Sequence, residues 1–252
     1  MGIKRTEAVI LRSQAYGETS KIITTLTRDS GKLSFMAKGA RDIKSAFGGS
    51  LELLNHTQVV YYEKSGRDLQ HLSEASVIQP FFMLRDDPRR LLAGLSVAEF
   101  CDRSVHANED TTQIFSLLVE TLTRLNEPDK PVFNQIIYFL LALSDRLGFR
   151  PDFSRCRFEK DLLEHDEIFF DIRHGRFTCS SCAAQTPVDT SLPLSREGLS
   201  VARYLIKSRG AGSGNVVISD KARHDLMRIL LRHLQYHVEE LNNLNVIKFY
   251  DL

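Results

Sequence analysis

No apolar run in this sequence is long enough to cross a bilayer. The densest, Ile136 to Leu143 (IIYFLLAL), falls well short of the roughly 20 residues that a spanning helix needs. No cationic leader with an apolar stretch and small residues opens the chain, so a cytoplasmic protein with no membrane partner is expected. Cysteine is scarce. Four in 252 residues do not make a disulfide framework. Catalytic signatures are missing too: there is no G-x-S-x-G and no HExxH, and the acids form no motif. The glycine-rich RGAGSG at Arg209 to Gly214 lacks the lysine of a phosphate-binding loop and follows a helix rather than a strand. It reads as a flexible linker. These absences speak against an enzyme.

Excess charge of one sign is lacking as well, but the net +1 hides a segregation. Residues 1–49 hold nine Lys/Arg against four Asp/Glu, a net +5. Residues 50–110 hold six against ten, a net −4. Opposed segments of this kind bear on binding more than their sum does.

A composition that is 42% hydrophobic supports a real core. The first 80 residues have the pattern of strands. TEAVILRS (Thr6 to Ser13), KIITTLTR (Lys21 to Arg28) and KLSFMAK (Lys32 to Lys38) are followed by TQVVYYEK (Thr57 to Lys64) and LQHLSEASVI (Leu69 to Ile78). The DSG turn makes a hairpin of the second and third, and SGRD makes one of the last two. Five short strands are best accommodated in a small closed or nearly closed β-barrel, which leaves few open edges.

From Pro80 the period becomes helical. Asp87 and Pro88 start one helix, an Asp/Thr cap starts a second, and the third runs from Pro131 to Gly148. Short links between the three imply a bundle. Residues of about 151–190 interrupt it with a strand, an RHG turn, a second strand and a cysteine pair. Helices resume after Ser195, and the last begins at Ser219 or Asp220 with an apolar stripe from Ala222 to Leu241. The expected fold is therefore α+β. A barrel domain spans 1–80 and a mainly helical domain spans 81–252, with the cysteine-bearing hairpin as an insert.

Two constellations carry chemistry. Cys179 and Cys182 have the spacing that lets two thiolates face one cation, and Cys156 is a natural third ligand for structural Zn2+. Glu159 stands where a second C-x-x-C pair would end, with His165 and His174 as alternatives. Cys101 belongs to the core face of a helix, and His233 and His237 flank a buried stripe. The second constellation is Arg12, Lys21, Lys32, Lys38, Arg41 and Lys44, all within the barrel domain. Tyr16, Phe35 and Phe47 lie among them, placed either to stack on bases or to fill the barrel. Glycines 39, 48 and 49 permit close backbone approach to a polymer, and phosphates reward clustered cations.

The T-E-A-V-I-L-R opening at Thr6 to Arg12, Y-G-E at Tyr16, G-K-L at Gly31, A-K-G-A-R at Ala37 and F-G-G at Phe47 together resemble the RecO family of recombinational DNA-repair mediators. The resemblance is strong over the first 80 residues and extends to the rest by layout. It implies an oligonucleotide/oligosaccharide-binding (OB) barrel and a zinc-finger-like insert. It implies binding of single- and double-stranded DNA, annealing of complementary strands, and loading of RecA, with association with the nucleoid during repair. RecR and the acidic C-terminal tail of single-stranded-DNA-binding protein are the implied partners. Lys38 and Arg41 fit the family's DNA-contacting stretch best. The first metal pair departs from the family's two C-x-x-C pairs, reading Cys156-Arg157-Phe158-Glu159. Two other readings compete: a peptide-binding scaffold without DNA contact, and a metal-dependent hydrolase built on the Cys and His residues.

Overall fold

The computed structural model describes residues 2–106, 111–156, 161–165, 168–183 and 191–246. The chain forms two compact units, Met1–Asn126 and Glu127–Leu252.

The first unit begins with five strands: β1 (Gly2–Tyr16), β2 (Ser20–Thr27), β3 (Lys32–Ala37), β4 (His56–Glu63) and β5 (Leu69–Gln79). They close into a barrel in the order β1-β2-β3-β5-β4. Closure depends on the length of β1, whose first half pairs with β4 and second half with β2. The β2–β3 turn is tied by Thr27, whose hydroxyl donates to the Gly31 carbonyl at 2.7 Å and accepts from the Ser30 N–H at 3.1 Å. All pairings are antiparallel except β3 with β5, a parallel seam from Ser34–Leu69 to Met36–His71.

Between Ile10 and Arg12 the register of β1 slips by one residue. Such a bulge reverses which side chains face inward. Ile10, opposite Thr25, points into the barrel; Arg12, Gln14 and Tyr16, opposite Thr24, Ile22 and Ser20, point outward. The interior is filled by Ala8, Ile10, Ile23, Phe35, Val59, Tyr61 and Leu72, with Phe35 and Tyr61 at 5.1 Å between ring centroids. Phe35 is fully buried and Phe47 7% exposed. Neither is available to stack on a base, because the barrel needs both rings as core.

Helices α1 (Phe82–Asp86), α2 (Pro88–Ser104) and α3 (Thr112–Leu125) complete this unit. The Asp87 carboxylate accepts from the Arg89 N–H and Pro88 stands in the first turn, as the sequence pattern requires. Helices α2 and α3 pack on each other and on the outer face of β1 and β2, where Val9 and Leu26 are buried. Gly94 allows this approach, since a Cβ there would lie 2.9 Å from Leu54 Cδ1.

In the second unit α4 (Val132–Arg146) packs with two later helices, α6 (Arg196–Lys207) and α7 (Asp220–His237). Ser195 and Ser219 cap these last two by accepting from the N–H groups of Gly198 and Ala222. Between α4 and α6 lies a small sheet of β6 (Asp152–Cys156), β7 (Ile168–Asp171), β8 (Arg176–Cys179) and β9 (Ser191–Leu194), ordered β6-β8-β7-β9, with the single turn α5 (Ser180–Ala183) after β8.

Two expectations change. The stretch expected as a flexible linker forms a 3-10 turn, Ala211–Asn215. Buried Asn134 donates to the carbonyls of Ser213 and Val216, and Gln135 exchanges hydrogen bonds with the Ser213 hydroxyl. The last helix stops at His237, where Val238 turns extended. A 3-10 turn, Glu239–Asn243, then keeps Leu241 buried. Among the described residues no helix is long and apolar enough to cross a membrane.

Candidate nucleic-acid interface and cysteine cluster

The six cations of the barrel domain divide into two sets. Arg12 and Lys32 both turn to Asp102 on α2, whose side chain is only 7% exposed. Arg12 Nε lies 3.1 Å from Oδ2, and Lys32 Nζ lies 3.4 Å from Oδ1 and donates to the Asp102 carbonyl at 2.7 Å. The pair thus fastens α2 to the outer face of the barrel. Lys21, at the start of β2, reaches Glu52 at 3.7 Å. Sequence reasoning did not find Asp102. It stands 90 residues from Arg12, and no local pattern links a helix acid to strand cations that far upstream.

Lys38, Arg41 and Lys44 form the second set. All three are exposed on the segment that leaves β3. Gly39, at φ +68°, starts a succession of turns in which Asp42 N–H donates to the Gly39 carbonyl and Ser45 N–H to the Asp42 carbonyl. Phe47 anchors the far end in the core. Arg41 docks the middle: its backbone N–H donates to the Thr19 carbonyl at 2.8 Å and its Nη1 to the Gly17 carbonyl at 2.9 Å. The segment therefore lies against the β1–β2 hairpin turn. Lys38 and Lys44 make no ion pair or hydrogen bond with any described residue.

In the insert the sulfurs of Cys156, Cys179 and Cys182 lie within 4.8 Å of one another, all three buried. Cys156 and Cys179 are 3.9 Å apart, so they are free thiols rather than a disulfide of about 2.05 Å. Two thiolates bound to one tetrahedral zinc at about 2.3 Å stand roughly 3.8 Å apart, a separation this pair matches. Burial raises the Cys179 thiol, but hydrogen bonds from Ser181, Cys182 and Cys156 outweigh it and bring the group down to about 7. Burial, and then the neighbouring sulfurs, push Cys182 upward. Three convergent thiols with one already acidified form a donor set suited to a soft divalent cation.

The other candidate ligands stand elsewhere. Among the described residues neither His165 nor His174 joins the cluster, and His174 Nδ1 instead meets Asp171 at 2.7 Å. Glu159 lies outside the described residues. His233 is buried with its ring nitrogens 2.9 and 2.6 Å from the carbonyls of Ile172 and Phe149, and His237 stacks on Phe149. Burial and then His233 lower the pKa of His237. Cys101 is core.

A groove in the second unit, of about 480 Å³, has Tyr138, Leu141 and Ile206 in its walls, with Arg146, Arg150 and Arg209 among its charges. It continues along Phe153 toward Arg203 and Lys207.

The family model described as Recombination protein O N terminal matches residues 1–81, and that described as Recombination protein O C terminal matches residues 85–244. The chain belongs to the RecO family. It is 44% identical over 157 residues to the DNA repair protein RecO of Salinibacter ruber, covering 62% of this chain and 60% of that relative. It is 32% identical over 235 residues to that of Roseiflexus sp. (strain RS-1), covering 92% and 81%. With that of Thermodesulfovibrio yellowstonii the identity is 29% over 232 residues, covering 91% of each. RecO membership places the chain among proteins of DNA repair and recombination.

Within this RecO chain the Asp102 contact makes a direct prediction. Asp102→Ala removes the shared acceptor of two cations, each still partly hydrated. A loss of about 1–2 kcal/mol in urea denaturation is expected. An unchanged midpoint would mean that apolar packing alone holds α2 to the barrel.

Proposed function

We propose that this chain is a non-catalytic repair mediator that binds single- and double-stranded DNA through its barrel and promotes annealing of complementary strands. In this reading it helps load RecA onto single strands covered by single-stranded-DNA-binding protein, in partnership with RecR. The observation that carries the proposal is the pair of exposed lysines, Lys38 and Lys44, which have no partner among the described residues, on a segment that Arg41 pins to the end of the barrel. The strand order supports an OB barrel, a fold that binds oligonucleotides on its outer strand face and adjoining loops.

The physics needs no covalent step. Lysines on an exposed segment displace condensed counterions and lower the repulsion between two polyanionic strands, without reading bases. Arg12, Lys21 and Lys32 contribute less, because carboxylates already compensate them.

Partner recognition falls to the second unit. An acidic peptide tail suits the groove: Tyr138, Leu141 and Ile206 receive apolar side chains, and carboxylates of the tail join Arg146 and Arg209 and compete with Asp145 for Arg150. Cys156, Cys179 and Cys182 would hold structural zinc, with Glu159 as the proposed fourth ligand. A bound ion would add a cross-link between β6, β8 and α5 to the apolar packing of Phe153, Phe170 and Phe177.

Three measurements test this reading. Replacing Lys38 and Lys44 with alanine should weaken oligonucleotide binding and reduce its logarithmic salt slope by about 0.7 per lysine on single strands. Unchanged affinity and slope would remove the segment from the interface. No retardation of any oligonucleotide at low salt, together with capture of a protein partner, would favour the scaffold. Arg150→Glu should weaken binding of an acidic C-terminal tail peptide about tenfold, and equal affinity would exclude the groove. Purified protein should carry about one zinc per chain, and Cys182→Ser should lose it. Chelation should lower thermal stability while DNA binding survives; if DNA binding vanished with the metal, the two units would not be functionally separate.

A further inference from the structure

Tyr16 ends β1 on the outward side set by the bulge, directly opposite Ser20. It is 54% exposed, and its side chain has no ring contact or hydrogen bond with any described residue. Folding alone does not account for a large aromatic ring held in water at a hairpin tip. Its neighbours do. Gly17 and Thr19, one and three residues on, are the two carbonyls on which Arg41 docks the cationic segment. Lys38 follows directly on Ala37, which lies opposite Lys21 beside Ser20. The backbones of Tyr16 and Lys38 therefore flank the same end of β2, about 10 Å apart across two strand spacings. One nucleotide, base on one side and phosphate on the other, spans such a gap.

We infer that Tyr16 is a base-stacking platform, and that it makes single-stranded nucleic acid the preferred ligand of the barrel's cationic end. The inference rests on the DNA-binding reading above and adds a discriminating residue to it. A duplex offers the lysines its phosphates, but its bases are stacked inward and present no free face to the ring. An unpaired base presents its π-face to any exposed aromatic, whatever the sequence. Arg41 acts here as a positioning residue: by tying the segment to Gly17 and Thr19 it keeps phosphate contacts and ring in one frame.

The sequence contains no tryptophan, so Tyr16→Trp in the full chain places one indole at the hairpin tip. Titration with an oligothymidylate of about 20 nucleotides should quench its emission, and a blunt duplex of equal length should not. Tyr16→Ala should weaken oligothymidylate binding about tenfold, with Tyr16→Phe within about twofold of the parent chain and duplex affinity unchanged. Equal quenching by the duplex would overturn the single-strand preference. Unaltered emission alongside binding that still depends on Lys38 and Lys44 would overturn stacking while leaving the DNA-binding reading intact. Absence of any oligonucleotide binding at low salt would overturn both.

Discussion

One extra residue in β1 governs the outer surface of the barrel. Strict alternation from Ile10 would send Arg12, Gln14 and Tyr16 inward, into space already occupied by Phe35 and Tyr61. The bulge after Ile10 reverses the pleat and turns all three outward. It falls close to where β1 passes from β4 to β2, so the bend that closes the barrel and the reversal that exposes the polar row are neighbours in the same strand. The docking of α2 through Arg12 follows from it, as does the position of the ring at the hairpin tip.

The charge segregation along the chain has a largely internal explanation. Asp102 and Glu52 belong to the acidic stretch and neutralise Arg12, Lys32 and Lys21 of the basic one. A sequence with a net +5 beside a net −4 is thus partly a description of one folded unit satisfying itself. Among the described residues what remains unpaired is smaller: Arg5 on β1, and a short segment after β3 that is held by hydrogen bonds from Arg41 to backbone carbonyls rather than by opposite charge. That difference matters for a polyanion, since a cation already compensated by a buried carboxylate has little left to offer a phosphate.

Much of the architecture was legible because it rests on local rules. The five strands announce themselves by β-branched runs between turn residues, and Asp87, Ser195 and Ser219 cap helices where capping chemistry places them. What stayed hidden depends on distant partners. Phe35 and Phe47 look the same in sequence whether they fill a barrel or line its surface; only closure decides. The bulge leaves no mark in composition. Strands β6 and β9 are short, and β9 contains Pro193, so they become strands only by pairing with β8 and β7. The glycine-rich stretch was misjudged because its order comes from Asn134 and Gln135, far away on α4. The cysteine trio was the exception, since two-residue spacing is itself a geometric statement.

The parallel seam between β3 and β5 is only three residue pairs long, yet the ring cannot close without it. Its partners lie 35 residues apart in sequence, against a few residues across either hairpin turn, so the β2–β3 and β4–β5 hairpins form before it can. On the ribosome the ring stays open until Leu69 to His71 have emerged, leaving the interior rings wetted and the edge of β3 unpaired for that interval. The same short seam is the place where the finished ring most readily gapes, giving an otherwise closed cylinder one built-in slit.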